Sequence, residues 1–236
     1  MSCENHFIKC AGPLQAWGTD SYFETRMTDL YPSKSGIIGL LAACCGYRRK
    51  DDGPLARLNE LDFAVRVDRS GSLLRDYHIA QKYTKKGTLD RNYVTNRYYL
   101  QDAVFIVALG HRDEALIDDL AAAIRAPYFQ PFMGRRSLPV PVDFLLAVCS
   151  GGVIENLTKL PKQTCDKPSD RLSEQLTLYA DADLLGTDQW HWRKDRPISF
   201  SQKNRRFANR AEAVAVLEVP LPAPATDHDA FKAIGG

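Results

Sequence analysis

A chain of 236 residues with 44% hydrophobic content can fill a sizeable core, as one large domain or two small ones, which excludes disorder as the default. No apolar run reaches the ~18 residues that a membrane-spanning helix needs, and the opening Met1-Ser2-Cys3-Glu4-Asn5-His6 lacks the order of an export signal, so a cytoplasmic protein with no membrane partner is expected. The net charge of +2 is too small to name a polyanionic partner, but residues 75–97 carry six Lys or Arg against two Asp and residues 188–210 carry seven against two, so the rest of the chain is acidic.

A short apolar strand, Phe7 to Cys10, runs into a turn at Gly12-Pro13. A helix is predicted from about residue 35, because Ile37, Leu40, Leu41, Cys44 and Cys45 recur at helical spacing, Ser33 or Ser35 can cap it and Gly46 can end it. Asp62 to Asp68 alternates as a strand does, with Phe63, Val65 and Val67 on one face. Residues 103–109 form a continuous apolar run of central-strand length, followed by a helix that Asp113 can cap, that is buried through Leu116, Leu120, Ala123 and Ile124, and that Pro127 stops. Residues 143–149 form another apolar run.

The order strand, helix, strand, strand, helix, strand predicts an α+β fold on the ferredoxin-like plan over residues 1–149. The link between its second and third strands, residues 69–101, far exceeds the two to five residues of an ordinary hairpin. It is basic and aromatic, and Lys85-Lys86-Gly87 can form the tip of a protruding hairpin that satisfies its own backbone. Residues 150–236 read as a small, mostly β region: a polar linker to about 172, a strand at 174–180, an aromatic and basic stretch at 189–207, a last strand near 213–219 and a flexible Pro-Ala tail.

Six cysteines, at 3, 10, 44, 45, 149 and 165, show no C-x-x-C spacing and read as small buried hydrophobes. No carboxylate set suits a two-metal site, and neither metal nor cofactor is expected. Three stretches carry candidate chemistry. Ser33-Lys34-Ser35-Gly36 stands at a helix mouth, where free N–H groups, hydroxyls and an ammonium can hold an oxyanion, with Arg26 and Trp17 in the preceding loop; the P-loop order is absent. Arg75, Tyr77, His78, Lys82, Tyr83, Lys85 and Lys86 mix cations with rings, the composition either of a phosphate-gripping, base-stacking surface or of a metal-free ribonuclease centre. Arg135-Arg136 after Gly134 suits a phosphate clamp at a turn. Trp190-His191-Trp192 fits a core as well as a stacking site.

These segments, "AGPLQAWG", "TRMTDLYPSKSGIIGLLAACCG", "LRDYH" and "FMGRRSLPVP" in that order over most of residues 9–149, resemble the Cas5 family of type I CRISPR effector complexes, and within it the Cas5e branch of type I-E Cascade. The resemblance implies an RRM-related ferredoxin-like domain whose inserted hairpin, about residues 77–100, is a thumb. It implies a non-catalytic, antiviral-defence role: holding the 5′ handle of the CRISPR RNA, capping the Cas7 backbone, contacting the large subunit Cas8e and meeting target DNA indirectly through the complex. On that basis Gly12, Gln15, Trp17 and Gly18 face the handle together with Ser33, Lys34, Ser35 and Gly36, Arg26 lies beside them, Arg135 and Arg136 approach from the Gly134 turn, and Arg97 sits at the thumb's base. The alternative is the repeat-cutting endoribonuclease role of type I-C relatives, which Tyr77, His78, Lys82 and Lys86 keep open. A scaffold without RNA contact leaves both basic tracts unexplained. One departure is that "SCENHFIKC" is shorter and more polar than the family's usual opening strand.

Overall fold

The computed structural model describes residues 4–18, 24–164 and 172–222. In chain order they form β1 (Glu4–Ala11), β2 (Leu14–Gln15), β3 (Thr25–Arg26), α1 (Lys34–Cys44), α2 (Asp52–Leu58), β4 (Asp62–Arg69), β5 (Ser72–Tyr83), β6 (Leu89–Gln101), β7 (Val104–His111), α3 (Glu114–Arg125), β8 (Leu145–Ser150), α4 (Val153–Lys159), β9 (Ser173–Asp181), α5 (Ala182–Leu185), β10 (His191–Ser199) and β11 (Arg206–Pro220). The Pro-Ala tail, Cys3 and Cys165 lie outside the described residues. No described helix is long and apolar enough to cross a membrane.

Seven strands make one sheet in the order β10-β11-β9-β4-β7-β1-β8. Its β8-β1-β7-β4 part, antiparallel throughout, has α1 between β1 and β4 and α3 between β7 and β8, the order of the ferredoxin-like plan. β9, β11 and β10 then continue the same sheet, β9 joining β4 at Ala64↔Ala180, Val65↔Tyr179 and Arg66↔Leu178. Helices α1 to α3 cover one face, where Ile8, Ile37, Leu41, Phe63, Phe105 and Leu120 share a core. The segments around α4 and α5 cover the other, over Phe7, Ile106, Ala108, Leu157 and Leu178. Cover on both faces is why the β7 run from Val104 to Gly110 is buried residue after residue. The described cysteines are free; Cys10 and Cys44 are buried, Cys45 and Cys149 half-buried.

Three helices escape the sequence reading, α2, α4 and the single turn of α5. α2 has only Leu55 and Leu58 buried and α4 only Val153 and Leu157, too few apolar positions to reveal a helical period. α4 is held from below: Arg66, fully buried, donates to Leu157, Leu160 and Pro161 carbonyls at its C-terminal end and forks onto Asp68. The long link is a hairpin paired from Ser72↔Gln101 to Tyr83↔Leu89. At its tip Gly87, with φ +81, donates to the Thr84 carbonyl, as the Lys85-Lys86-Gly87 turn requires. Its root is flanked by β2, antiparallel to β6, and β3, parallel to it.

The polar opening strand has a physical cost. Asn5 is buried and donates to the Gly151 carbonyl, but His6, buried beneath α3, has no partner for either ring nitrogen. Burial, reinforced by the Arg125 cation against a smaller opposing effect of Asp118, lowers its pKa to about 4. The neutral imidazole is therefore compatible with the fold while the unfolded chain takes up a proton below its ordinary value near 6.5. Stability is retained above that pH and lost as pH falls towards 4, by about 3 kcal/mol over the interval. Denaturant unfolding of wild type and His6→Leu at pH 7 and pH 4.5 measures this; the variant's loss on acidification should be the smaller, and equal losses would contradict the assignment.

Candidate nucleic-acid interface

The helix mouth is already filled. Ser33 Oγ accepts from the Gly36 N–H, and the Lys34 N–H donates to Asp195 Oδ2 at 2.9 Å, so the oxyanion at the start of α1 is a carboxylate of the protein itself. Lys34, 4% exposed, turns inward: its Nζ donates to the Leu61 carbonyl at 2.8 Å and to Asp181 at 3.0 Å, and desolvation drives its pKa down against the pull of Asp181. Ser35 is buried 3.3 Å from Ser33. Gly36 has no Cβ because the Trp17 ring needs the space, its Cε3 lying 3.1 Å from where that Cβ would stand. Trp17, 2% exposed, donates from Nε1 to Gln15, and Gln15 donates to the Cys10 and Ala103 carbonyls. Ser33, Lys34, Ser35, Trp17 and Gln15 are thus corrected from ligand contacts to internal fastenings: buried donors and acceptors must be satisfied, and here the protein satisfies them.

Free cationic groups gather at the hairpin root instead. β3 pairs with β6 at Thr25↔Asn96 and Arg26↔Arg97, which sets Arg26 and Arg97 side by side on one face. Arg135 reaches across from the Gly134 turn, donating to the Arg26 carbonyl at 3.1 Å and the Tyr98 carbonyl at 2.9 Å while its guanidinium lies 4.0 Å over the Tyr99 ring. Gly134 has φ +85, and a Cβ there would stand 1.7 Å from the Ala16 carbonyl oxygen; this close approach binds the turn to the 12–18 loop, where Gly12 lies against Met133. Two donors in this cluster, Arg97 Nε and Arg135 Nη1, are buried without a partner among the described residues. Arg26 and Arg136 are exposed. Tyr99, under Arg135, is the member sequence reasoning did not single out; its only signal is the run of tyrosines leading into β7.

Strand alternation divides the remaining candidates. Arg75, Tyr77 and Ile79 stand opposite Tyr98, Asn96 and Val94 on one face of the hairpin, and Arg75 donates to Asn96 Oδ1 from Nε at 3.1 Å and Nη2 at 2.9 Å. Asp76, His78 and Lys82 stand on the other, opposite Arg97, Thr95 and Arg91. His78 therefore shares a face with Arg97, while Tyr77 (61% exposed) and Tyr83 point away from it. Lys82 is engaged with Asp90 at 2.9 Å. The set that composition suggested as a ribonuclease centre is split across two sides of a ribbon. Among the described residues no group of three His, Cys, Asp or Glu is placed to hold a metal ion.

Residues 7–213 match the family model described as CRISPR-associated protein (Cas_Cas5). The chain belongs to the Cas5 family. A curated relative, the CRISPR system Cascade subunit CasD of Escherichia coli (strain K12), is 38% identical over 156 residues, which is 60% of this chain and 70% of that protein. A solved structure titled CRISPR RNA-guided surveillance complex superposes with a TM-score of 0.79 at 34% identity over 96% of both chains. Another, titled Crystal structure of Cas protein, gives 0.67 at 33% identity over 93% of this chain and all of that one.

Within this Cas5 chain the second basic tract is not the continuous cationic surface its composition suggests. Arg210 forks onto Asp195 and reaches Asp181 and Glu212, and Arg193 pairs with Glu212, Asp195 and Asp29. Only Lys194, Arg196, Lys203, Arg205 and Arg206 of the tract remain exposed. Trp190 and Trp192 are exposed and meet edge-on at 4.7 Å, so they are not core. Because Lys34 belongs to this internal set, Lys34→Ala should destabilise the fold by about 3 kcal/mol, leaving Asp181 with Arg210 alone. The folded fraction should bind RNA as wild type does. Thermal melts and titrations below the melting point separate the two, and a selective loss of RNA affinity at unchanged stability would restore Lys34 to the interface.

Proposed function

We propose that this chain is a non-catalytic RNA-binding subunit of a type I-E Cascade complex, in which residues 1–149 form an RRM-related unit that holds the 5′ handle of the CRISPR RNA and β5–β6 serves as its thumb. Residues 150–236 brace that unit. The chain caps one end of the Cas7 backbone, adjoins the large subunit Cas8e and meets target DNA only through the assembled complex. One observation carries the RNA site: Arg97 Nε and Arg135 Nη1, two buried guanidinium donors without acceptors among the described residues, beside exposed Arg26. An unpaired buried donor is costly, and phosphate oxygens are the acceptors that guanidinium forks fit. Gly12, Arg136 and His78 border that cluster, Gly18 and Lys82 extend the surface in the 12–18 loop and towards the hairpin tip, and Arg75 and Tyr77 offer a stacking face on the reverse of the ribbon. Assembly is supported by the superposition along nearly the whole chain on a component of an RNA-guided surveillance complex.

A cut through the 2′-hydroxyl needs a base and a second proton-moving group converging within hydrogen-bond reach of one phosphate, and the division of His78 from Tyr77 and Tyr83 removes that convergence. The test uses purified full chain and labelled repeat RNA. Arg97→Ala and Arg135→Ala should each weaken binding about tenfold and each flatten the slope of log affinity against log salt by about 0.7, the value for one lost single-strand phosphate contact. The RNA should stay whole with and without divalent cation. Site-specific cleavage that His78→Ala abolishes would replace this reading with the nuclease one.

A further inference from the structure

Arg26 itself is held only by its pairing with Arg97 and by the Arg135 bond to its carbonyl. β3 is two residues long, and two pairs to β6 are not enough to hold a strand without other support. The segment from Glu24 to Tyr31 is instead fastened at both ends. At one end the Asn96 N–H donates to the Glu24 carbonyl at 2.8 Å. At the other, Trp17 N–H donates to Thr28 Oγ1 at 2.9 Å and the C-terminal strands take over. Arg193 of β10 donates from Nη2 to Asp29 Oδ2 at 2.9 Å and lays its guanidinium 4.1 Å over the Tyr31 ring. The other face of Tyr31 meets Tyr179 of β9, the rings 3.7 Å apart and 9° from parallel, and its hydroxyl donates to Glu212 of β11 at 2.7 Å.

Resting on the RNA-binding reading above, we propose that Arg193 is a positioning residue: through Asp29 and Tyr31 it fixes the 24–31 segment so that Arg26 stands beside Arg97 and Arg135 and engages the RNA backbone. Three peptide units separate Arg26 from Asp29, a span of at most about 10 Å, so freedom at Asp29 is transmitted to Arg26 with little slack. Met27 and Leu30, exposed between and after them, belong to neither core cluster. Direct RNA contact by Arg193 is not the role, because its side chain is 12% exposed and its donors are taken by Asp29, Glu212 and Asp195. The C-terminal strands thereby gain a task in binding that is carried from inside the fold.

The experiment is made at Asp29, the solvent-side end of the contact, since Arg193→Ala would leave Asp195 and Glu212 buried beside a lost cation. Asp29→Ala, Asp29→Glu, Arg26→Ala and the Arg26→Ala/Asp29→Ala double variant of the full chain are compared by hydrogen exchange over residues 24–31 without RNA and by affinity for labelled repeat RNA. Asp29→Ala should speed exchange in that segment and weaken RNA binding about fivefold, and Asp29→Glu should recover most of the affinity. The double variant should bind no more weakly than Arg26→Ala alone, which a general loss of stability would not produce. Unchanged exchange, or additive losses in the double variant, overturns the positioning role and leaves the RNA site intact. Faster exchange with affinity indifferent to both Asp29→Ala and Arg26→Ala overturns Arg26 as an RNA contact, and the positioning role with it, while the site at Arg97 and Arg135 stands or falls on its own variants.

Discussion

Asp195 at the start of α1 is the constraint around which the two halves of the chain are arranged. A helix that begins buried must find acceptors for its first N–H groups, and α1 begins buried because its apolar residues occupy nearly every side. Ser33 satisfies one of those groups and Asp195, 161 positions away on β10, satisfies another. A carboxylate so deeply placed is itself tolerable only when paired, and Arg210 on β11 supplies the fork. The requirement then propagates outward to Asp181 and Lys34, to Glu212 and Arg193, and at the surface to Asp29.

Such a network contributes modestly to net stability, because the desolvation of its charges offsets most of their attraction. Its larger effect is on arrangement. Lys34, Arg193 and Arg210 face Asp29, Asp181, Asp195 and Glu212, and Asp181 of β9, Asp195 of β10 and Glu212 of β11 each meet a cation from a different element, so a slipped register would leave a charge unpaired. The strands of the C-terminal region are thus tied to β4 by three backbone pairs and to α1 by charge. Arg66 and Asp68 do the equivalent on the opposite face, where they hold the end of α4 and the Gln163 N–H.

The ferredoxin-like order, the α+β class and the hairpin were legible because each rests on local signals: helical spacing in α1 and α3, continuous apolarity in β7, and a Lys-Lys-Gly tip at the right remove from both strands. Arg97 at the base of the hairpin was legible too, whereas Arg26, expected beside the helix mouth, pairs with Arg97 and lends its carbonyl to Arg135 instead. What failed was the helix mouth, for a definite reason. A lysine and two hydroxyls at an N-terminus look the same in sequence whether the anion they meet is a ligand or a residue 161 positions away. Long-range pairing leaves no periodic trace; the nearest thing to one is the alternation Arg193-x-Asp195 and Arg210-x-Glu212, which marks two strands whose inward faces are charged of both signs. α2 and α4 were missed for lack of apolar residues, and β10 because its inward set of Arg193, Asp195, Pro197 and Ser199 mimics a polar loop.

The arginines of the chain sort by what shares their burial. Arg66, Arg193 and Arg210 lie inside with carboxylates or carbonyls at their forks, and their charge is spent within the fold. Arg97 and Arg135 are only partly covered and meet no carboxylate; Arg135 is steered by two carbonyls and an aromatic face, so one side of its plane is fixed and one amino group remains unmatched. That combination suits a guanidinium better than an ammonium, whose single centre cannot stack on Tyr99, hold two carbonyls and still direct a donor elsewhere. Composition counts all of these residues alike. Placement separates those whose donors the protein satisfies from those with donors that no described residue takes, and the Asp29–Arg193 contact fastens the segment that carries Arg26 to the first group.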